Sequence, residues 1–382
     1  MRRRVALNAQ LLSAASSYRA AGISRAIREL LAHLPDADPD LHLEVFAPAA
    51  PEIAALLDRP RVTARLTCLP TYKPAVRIVW EQAVLPRLAA GADLLHSLGF
   101  VAPLAWRGRS VVTVYDLSFL RFPHLFNRAN RAYLSRMTPL SVRRADHTIT
   151  ISEHAKREIT STMGIDPSRV SAVLLAADRR FARASADAMD RFRRDQGLAD
   201  PYILHLGTLE PRKNLATLVR AYAAMRASGI TSHRLVLAGG GGWQYDELDV
   251  LVRELGLESC VLFPGYVKSE EQPLWYSAAD VFACPSLYEG FGLPLLEAMA
   301  CGVPVVASNS SSLPEVVGDA GTLVAPLDVA GWTAALTALV TNRALHRQHA
   351  EAGPRQATRF SWERTADETA AVYRRVLDGA TR

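Results

Sequence analysis

Two glutamates eight residues apart, Glu289 and Glu297, bracket a loop that runs straight into a helix. The stretch reads Pro285-Ser-Leu-Tyr-Glu-Gly-Phe-Gly-Leu-Pro-Leu-Leu-Glu-Ala-Met-Ala-Cys-Gly-Val-Pro304. Pro294 suits a first helical turn, where no amide hydrogen is needed, and Gly302 with Pro304 suits the stop. Gly290 and Gly292 leave the backbone bare just ahead of that helix. A ligand can therefore approach amides that carry the positive end of the helix dipole. Glu289 in the loop and Glu297 about one turn into the helix then line one ligand from two heights. Paired carboxylates are hydrogen-bond acceptors, and neutral polyhydroxyl groups are what they hold well.

A second group of reactive residue types follows an earlier strand: Gly207-Thr-Leu-Glu-Pro-Arg-Lys-Asn214. Arg212 and Lys213 beside a helix start, with Asn214 as its N-cap, suit the neutralisation of a diphosphate. The alternative is that both cations merely solvate a turn. Ala238-Gly-Gly-Gly-Gly-Trp243 is either a phosphate cradle or a mobile turn. No obvious Asp-x-Asp metal motif accompanies these segments, which is consistent with the expectation of neither metal nor cofactor.

These segments need a frame. Short apolar runs alternate with helical patterns from Val5-Ala-Leu-Asn through Val170-Ser-Ala-Val-Leu, and again from Tyr202-Ile-Leu-His-Leu through Gly321-Thr-Leu-Val. Such alternation means βαβ units and parallel sheets. Apolar positions Ile23, Ile27, Leu30, Leu31 and Leu34 keep helical spacing, which puts Gly22 where a loop meets a helix N-terminus. Residues 182–200 are small and polar and read as a hinge with a short helix. The α/β chain is thus divided into a Rossmann-like domain over 1–184 and a second over 185–365. The chain closes with a helix from about Trp362 to Leu377, and the C-terminal segment 366–382 packs back on the first domain. Two such sheets facing each other would bind ligands in a cleft outside their strand C-terminal ends.

At 382 residues the chain exceeds one ordinary core, and 49% hydrophobic with 21% charged residues describes a globular protein. No run approaches the roughly 18 apolar residues that span a bilayer. Asn8 and Gln10 interrupt what would be the apolar part of a signal peptide, so the N-terminus reads as a strand. The four cysteines lack metal spacing and read as buried free thiols of a reducing cytoplasm. Residues 1–185 carry 26 − 15 = +11 and residues 186–382 carry 18 − 23 = −5. A basic front half suits membrane phospholipid or a phosphate-bearing acceptor, or is simply a solvated surface. Nucleic acid ranks last, since no basic stripe interleaved with aromatics occurs.

Taken in order, Gly207-Thr-Leu-Glu-Pro-Arg-Lys-Asn, Val261-Leu-Phe-Pro-Gly-Tyr-Val, Ala279-Asp-Val-Phe and the stretch from Pro285 to Val306 resemble family 4 retaining glycosyltransferases of the GT-B fold. Thr113-Val-Tyr-Asp-Leu, Ile149-Thr-Ile-Ser-Glu and Ser361-Trp-Glu are similar to the family as well. The resemblance implies that Lys213 and a neighbouring Arg hold the donor diphosphate, that Glu289 binds hydroxyls of the transferred sugar and that Glu297 binds the ribose. It places the amides of Gly290, Phe291, Gly292 and Leu293 on the sugar, Tyr266 and Val267 on the base, and Gly22 beside the phosphates. Many members carry Arg directly after the strand's Gly207, where this chain has Thr208, so Arg212 is the candidate second cation. Many carry His before Asp116, where this chain has Tyr115. Tyr115 and Asp116 therefore stand on the acceptor side without a histidine's role.

Breaking a sugar–diphosphate bond puts charge on the departing phosphate, and preorganised donors aimed there are usually the largest catalytic contribution. The resemblance implies retention, and with no nucleophilic side chain in view, front-face attack is expected. The expected activity is hexosyl transfer, of mannose or glucose type, from a nucleoside-diphosphate sugar to a glycan, lipid-linked or small-molecule acceptor. Cell-envelope polysaccharide synthesis, in the cytoplasm or at the inner membrane face, is the expected setting. The acceptor would bind loops of the front domain such as Tyr72 to Gln82 and Arg121 to Arg136. A glycan phosphorylase of the same fold, or a nucleotide-sugar-binding protein without turnover, are the alternatives. A Rossmann oxidoreductase is disfavoured because no Gly-x-Gly-x-x-Gly opens the first helix.

Overall fold

A computed structural model describes residues 3–13, 21–240 and 245–379. These divide into two compact units, Met1–Leu175 with Ser361–Arg382, and Ala176–Phe360. Unit 1 is built on a seven-stranded parallel sheet of β1 (Arg3–Asn8), β2 (Leu41–Pro48), β3 (Val62–Thr67), β4 (Leu94–Ser97), β5 (Arg109–Thr113), β6 (His147–Thr150) and β7 (Val170–Ala172). Its order is β3-β2-β1-β4-β5-β6-β7, so the winding reverses between β1 and β4. Unit 2 has six parallel strands: β8 (Tyr202–Leu206), β9 (Arg234–Ala238), β10 (Val261–Gly265), β11 (Val281–Cys284), β12 (Val305–Ser308) and β13 (Thr322–Val324). Its order is β10-β9-β8-β11-β12-β13, with the reversal between β8 and β11. The fold class is therefore α/β with two doubly wound parallel sheets, as expected.

β4, β6, β8, β11 and β12 are buried along their whole length, as strands covered on both faces must be. In unit 1, Val5 and Leu7 pack with Ile27, Leu31 and Leu34 of the helix Ala21–Ala37, and Ala366, Ala370, Tyr373 and Val376 complete that core from the helix Trp362–Leu377. The last helix is tied to its unit by polar contacts too. Tyr373 Oη lies 2.6 Å from His96 Nδ1, Thr365 Oγ1 donates to the Leu174 carbonyl at 2.6 Å, and Arg374 meets Asp38 at 2.7 Å.

The chain changes unit at Leu175/Ala176 rather than at 184/185, and the small polar stretch after it is no linker. Arg183 donates to the Gly302 carbonyl, the Ala184 amide to Ser277 Oγ, and Arg193 to the Ala278 carbonyl. Phe192, on the helix Ala186–Asp195, packs edge-on against Trp275 at 5.0 Å. That helix is thus a docked part of unit 2. Of the thiols, Cys260, Cys284 and Cys301 are buried, whereas Cys68 is exposed. Among the described residues no helix is long and apolar enough to cross a membrane.

One close approach shapes the floor of unit 2. A Cβ added to Gly239 would fall 1.8 Å from the Gly207 carbonyl oxygen, so the ends of β9 and β8 touch only because residue 239 has none. Gly241 and Gly242 of the same run lie outside the described residues. Gly239→Ala must push the two strand ends apart and is expected to cost about 2 kcal/mol or more in denaturant unfolding. An unchanged unfolding midpoint would contradict the packing.

Candidate functional site

The polar residues of unit 2 gather where its strand order reverses, at the carboxyl ends of β8 and β11, the position at which open α/β sheets take ligands. After β8 the chain makes a tight 3₁₀ turn over Pro211–Lys213. After β11 it runs through Pro285 to Gly292 into the helix Leu293–Ala300. The two loops are stitched together by backbone, the Leu287 amide donating to the Arg212 carbonyl at 2.8 Å.

Glu289 is the hub. Its Oε1 accepts from Lys213 Nζ at 2.6 Å and from Ser286 Oγ at 2.6 Å, and its Oε2 accepts from Arg212 Nη1 at 2.8 Å. Burial alone would raise this carboxyl, but the Lys213 ammonium and the Arg212 guanidinium outweigh it and hold Glu289 down at about 2. Arg212 is committed further. Its Nη2 meets Glu210 at 2.6 Å and Nη1 reaches the Tyr288 carbonyl at 2.8 Å. Lys213 is buried to 7% exposure, and an ammonium has three donors, of which the contact with Glu289 uses one. Two cations against two carboxylates leave the cluster electrically balanced.

A depressed carboxyl has a readable consequence. Its ionised form favours the fold, so that contribution is complete above the ordinary value of 4.5 and is lost as pH falls towards about 2. Between pH 5 and pH 3 the wild type is expected to lose stability, by up to about 3 kcal/mol over the full window. Glu289→Gln should show a correspondingly flatter dependence in denaturant titrations. Equal slopes in the two proteins would contradict the ion pairing.

A run of serines after β12, to which the sequence drew no attention, cradles this loop. The Glu289 amide donates to Ser311 Oγ at 2.9 Å, while Ser312 Oγ donates to the carbonyls of Glu289 and Phe291. Ser310 Oγ reaches the carbonyls of Ser286 and Leu287. Three consecutive serines following an apolar run were the available signal. Gly292 then turns with φ +111, and a Cβ there would lie 2.8 Å from Leu313, so glycine is required before the helix. No side chain caps that helix. Gly290, Phe291, Gly292 and Leu293 are all buried around this turn.

Glu297, in the second helical turn, is buried and accepts from Tyr276 Oη at 2.9 Å. Asn214 stands at the N-cap position of the helix Leu215–Ala227, as expected, but its side chain makes no capping hydrogen bond. With φ +54 it turns the chain left-handedly, and its amide donates to the carbonyls of Pro285 and Pro326, tying three loops together. Gly207 and Thr208 are half-buried, and Gly207 faces the Lys213 side chain. Tyr266 (exposed) and Val267 (buried) follow β10, whose Gly265 carbonyl accepts from the Gly239 amide, and two strands, β9 and β8, separate β10 from the β11 that leads into the Glu289 loop. His205 was missed. Its Nδ1 lies 3.0 Å from the Ala283 carbonyl, its buried Nε2 has no partner, and burial lowers the imidazole to about 4, so it is neutral under Lys213.

The remaining sequence candidates lie in unit 1. Gly22 is the exposed second residue of its helix, with nothing within 4 Å of where a Cβ would stand. Tyr115 is buried, and its hydroxyl is taken by the Leu98 carbonyl at 3.0 Å. Asp116 accepts from the Ser118 amide at 2.8 Å.

Glycosyl transferases group 1 match over residues 188–356, and Glycosyltransferase Family 4 over residues 20–179. The O-antigen chain mannosyltransferase B of Escherichia coli is 35% identical over 70% of this chain and 70% of its own. The chain belongs to the family 4 glycosyltransferases. A D-inositol 3-phosphate glycosyltransferase of Corynebacterium jeikeium is 31% identical to this glycosyltransferase over 74% of it and 72% of the relative. The serotype-specific mannosyltransferase WbdA of Escherichia coli is 32% identical over 62% of this chain, which spans only 30% of that longer enzyme. Among solved structures, sucrose-phosphate synthase of Thermosynechococcus elongatus superposes with a TM-score of 0.77 at 24% identity, covering 99% of this glycosyltransferase and 100% of that chain. HepE of Anabaena in complex with UDP and glucose gives 0.75 at 20%, covering 97% and 99%. The fold is GT-B.

Proposed function

We propose that this glycosyltransferase moves a hexose, with mannose as first choice, from a nucleoside-diphosphate sugar to a hydroxyl of a glycan or lipid-linked acceptor, with retention and without a metal. The observation that carries the reading is the Glu289 cluster at the reversal point of unit 2, where a buried carboxylate and a buried ammonium stand beside an uncapped helix start. Mannose ranks first because the O-antigen and WbdA relatives are named mannosyltransferases.

In this reading the donor's phosphates sit against Lys213 and the Leu293 amide at the helix start, which together offset the charge that grows as the bond to the anomeric carbon breaks. Lys213 is the main cation because its remaining donors suit phosphate, while Arg212 holds Glu210 and Glu289 in place. Glu289 takes sugar hydroxyls and Glu297 the ribose. The acceptor oxygen bonds to the anomeric carbon on the face the phosphate leaves, and its proton passes to a phosphate oxygen. The +11 front half supports an acceptor held at an anionic membrane face.

Thermal shifts with GDP, UDP and ADP, followed by transfer assays with GDP-mannose and UDP-glucose, test this reading. Expected are a rise in melting temperature with GDP above that with UDP, an α-linked product from the α-linked donor, and turnover that survives EDTA. A β-linked product, or loss of activity on chelation that a divalent ion restores, would overturn the corresponding part. Phosphate-dependent release of sugar without nucleotide would replace it with the phosphorylase reading.

A further inference from the structure

Unit 1 has its own reversal point, between β1 and β4, and Gln10, Ser97 and Glu81 are each neighbours of Asn8 there. Asn8 and Ser97 end these two strands and stand opposite each other in the register. Ser97 Oγ is buried without a partner. Two residues beyond Asn8, Gln10 is 3% exposed, and both its Nε2 and its Oε1 lack any partner. A buried amide with neither end satisfied is costly to keep, which requires an explanation in the site rather than in the fold.

A carboxyl joins them. The run Pro74–Leu88 is interrupted by a π-helical turn at Trp80–Val84, where the Leu85 amide reaches back to the Trp80 carbonyl. π-turns concentrate at functional positions because they re-aim consecutive side chains. Here Trp80 enters the core beside Phe46 while Glu81, next in sequence, reaches Asn8 Nδ2 at 3.2 Å. Burial, opposed by Arg77 at 4.0 Å and by Asn8, raises the Glu81 carboxyl to about 7. Tyr133, on the helix Arg128–Arg144, lies close enough for Glu81 to help burial raise its phenol to about 12.

We propose that Gln10, Ser97 and Glu81 form a hexose-hydroxyl subsite at the reversal point of unit 1, which takes two adjacent hydroxyls of the acceptor sugar. An amide with both a donor and an acceptor open matches a vicinal diol, whose hydroxyls each donate and accept. Glu81 accepts from a further hydroxyl or from one of the pair. A phosphate does not suit the place, because Glu81 repels it and the cation facing it, Arg77, is already beside that carboxyl. The inference rests on the transferase reading for calling the bound sugar an acceptor, and its geometry lies entirely within unit 1.

Saturation-transfer NMR on the full chain, with α-mannobiose as the probe, tests it without relying on turnover. Expected is magnetisation transfer to the disaccharide in the wild type and roughly ten-fold or more weaker binding in Gln10→Ala and Glu81→Gln. Transfer that survives in both variants, or none in the wild type, overturns the subsite. Stability provides the control. Because the folded carboxyl is raised, its neutral form favours the fold, and stability falls as pH climbs from about 4.5 to about 7. The groups facing it are Arg77 on its own helix, Tyr133 on the helix Arg128–Arg144 and the neutral Asn8 on β1. Glu81→Gln, which carries no such charge, should melt higher than the wild type at pH 8; a lower melting temperature would mark Glu81 as structural and also overturn the subsite. A wild type that binds α-mannobiose yet transfers no sugar from any nucleotide donor would sink the transferase reading and leave the subsite standing.

Discussion

Lys213→Ala is expected to lower turnover about 30-fold or more, the effect of losing roughly 2 kcal/mol of charge stabilisation in the transition state. The same change strands part of the charge on Glu289, which keeps Arg212 and Ser286 but loses its 2.6 Å contact with the ammonium. Removing one partner of a buried pair typically costs about 3–5 kcal/mol, and the remaining contacts place this case at or below the lower end. Folding and catalysis therefore need separate readings. Circular dichroism at the assay temperature fixes the folded fraction, and single-turnover rates then report the chemistry. A folded Lys213→Ala protein with wild-type turnover would remove Lys213 from the phosphate-binding role.

Glu289→Gln is expected to move binding and catalysis in opposite directions. In the cluster Arg212 and Lys213 face Glu210 and Glu289, so two positive charges meet two negative ones. Replacing Glu289 by a neutral isostere leaves one net positive charge where a diphosphate is to bind. Nucleoside-diphosphate affinity should stay level or rise, while sugar transfer falls by about 100-fold, since the carboxylate that grips the sugar and fixes the lysine is gone. Calorimetry with nucleoside diphosphate and steady-state kinetics separate the two effects. Weaker nucleotide binding with little loss of turnover would reverse the roles assigned to Glu289 and Lys213.

Much of the architecture was legible in the chain because parallel strands covered on both faces are near-continuous apolar runs, and β8 with its neighbours reads that way. β3 was not legible. It is an edge strand with three consecutive exposed residues, and Val-Thr-Ala-Arg-Leu-Thr has no buried face to reveal it. The stretch 182–200 misled for the opposite reason: small polar residues that look like linker are tied down by arginine contacts to backbone carbonyls, which leave no pattern in sequence.

At the site, the glycines, glutamates and cations could be named because each residue type has a chemistry of its own. Their pairing could not. Nothing in the spacing says that Glu289 neutralises the very cations a diphosphate would use, because residues 76 and 77 positions apart in sequence meet only after β8 and β11 become neighbours. Asn214 illustrates the same limit. An asparagine before a helix predicts a cap, yet its left-handed backbone turns the side chain towards Pro285 and Pro326. The serines that hold the Glu289 loop left only a weak signal, three in a row after an apolar run, as serine is common and only the fold aims it.

The most direct measurement is a crystal structure of the full chain with bound GDP, or with whichever nucleoside diphosphate gives the largest thermal shift. Expected is a diphosphate at hydrogen-bonding distance, about 3 Å, from Lys213 Nζ and from the Leu293 amide, with the ribose against Glu297. A nucleotide bound away from Lys213, with the Glu289 cluster unchanged and untouched, would contradict the account.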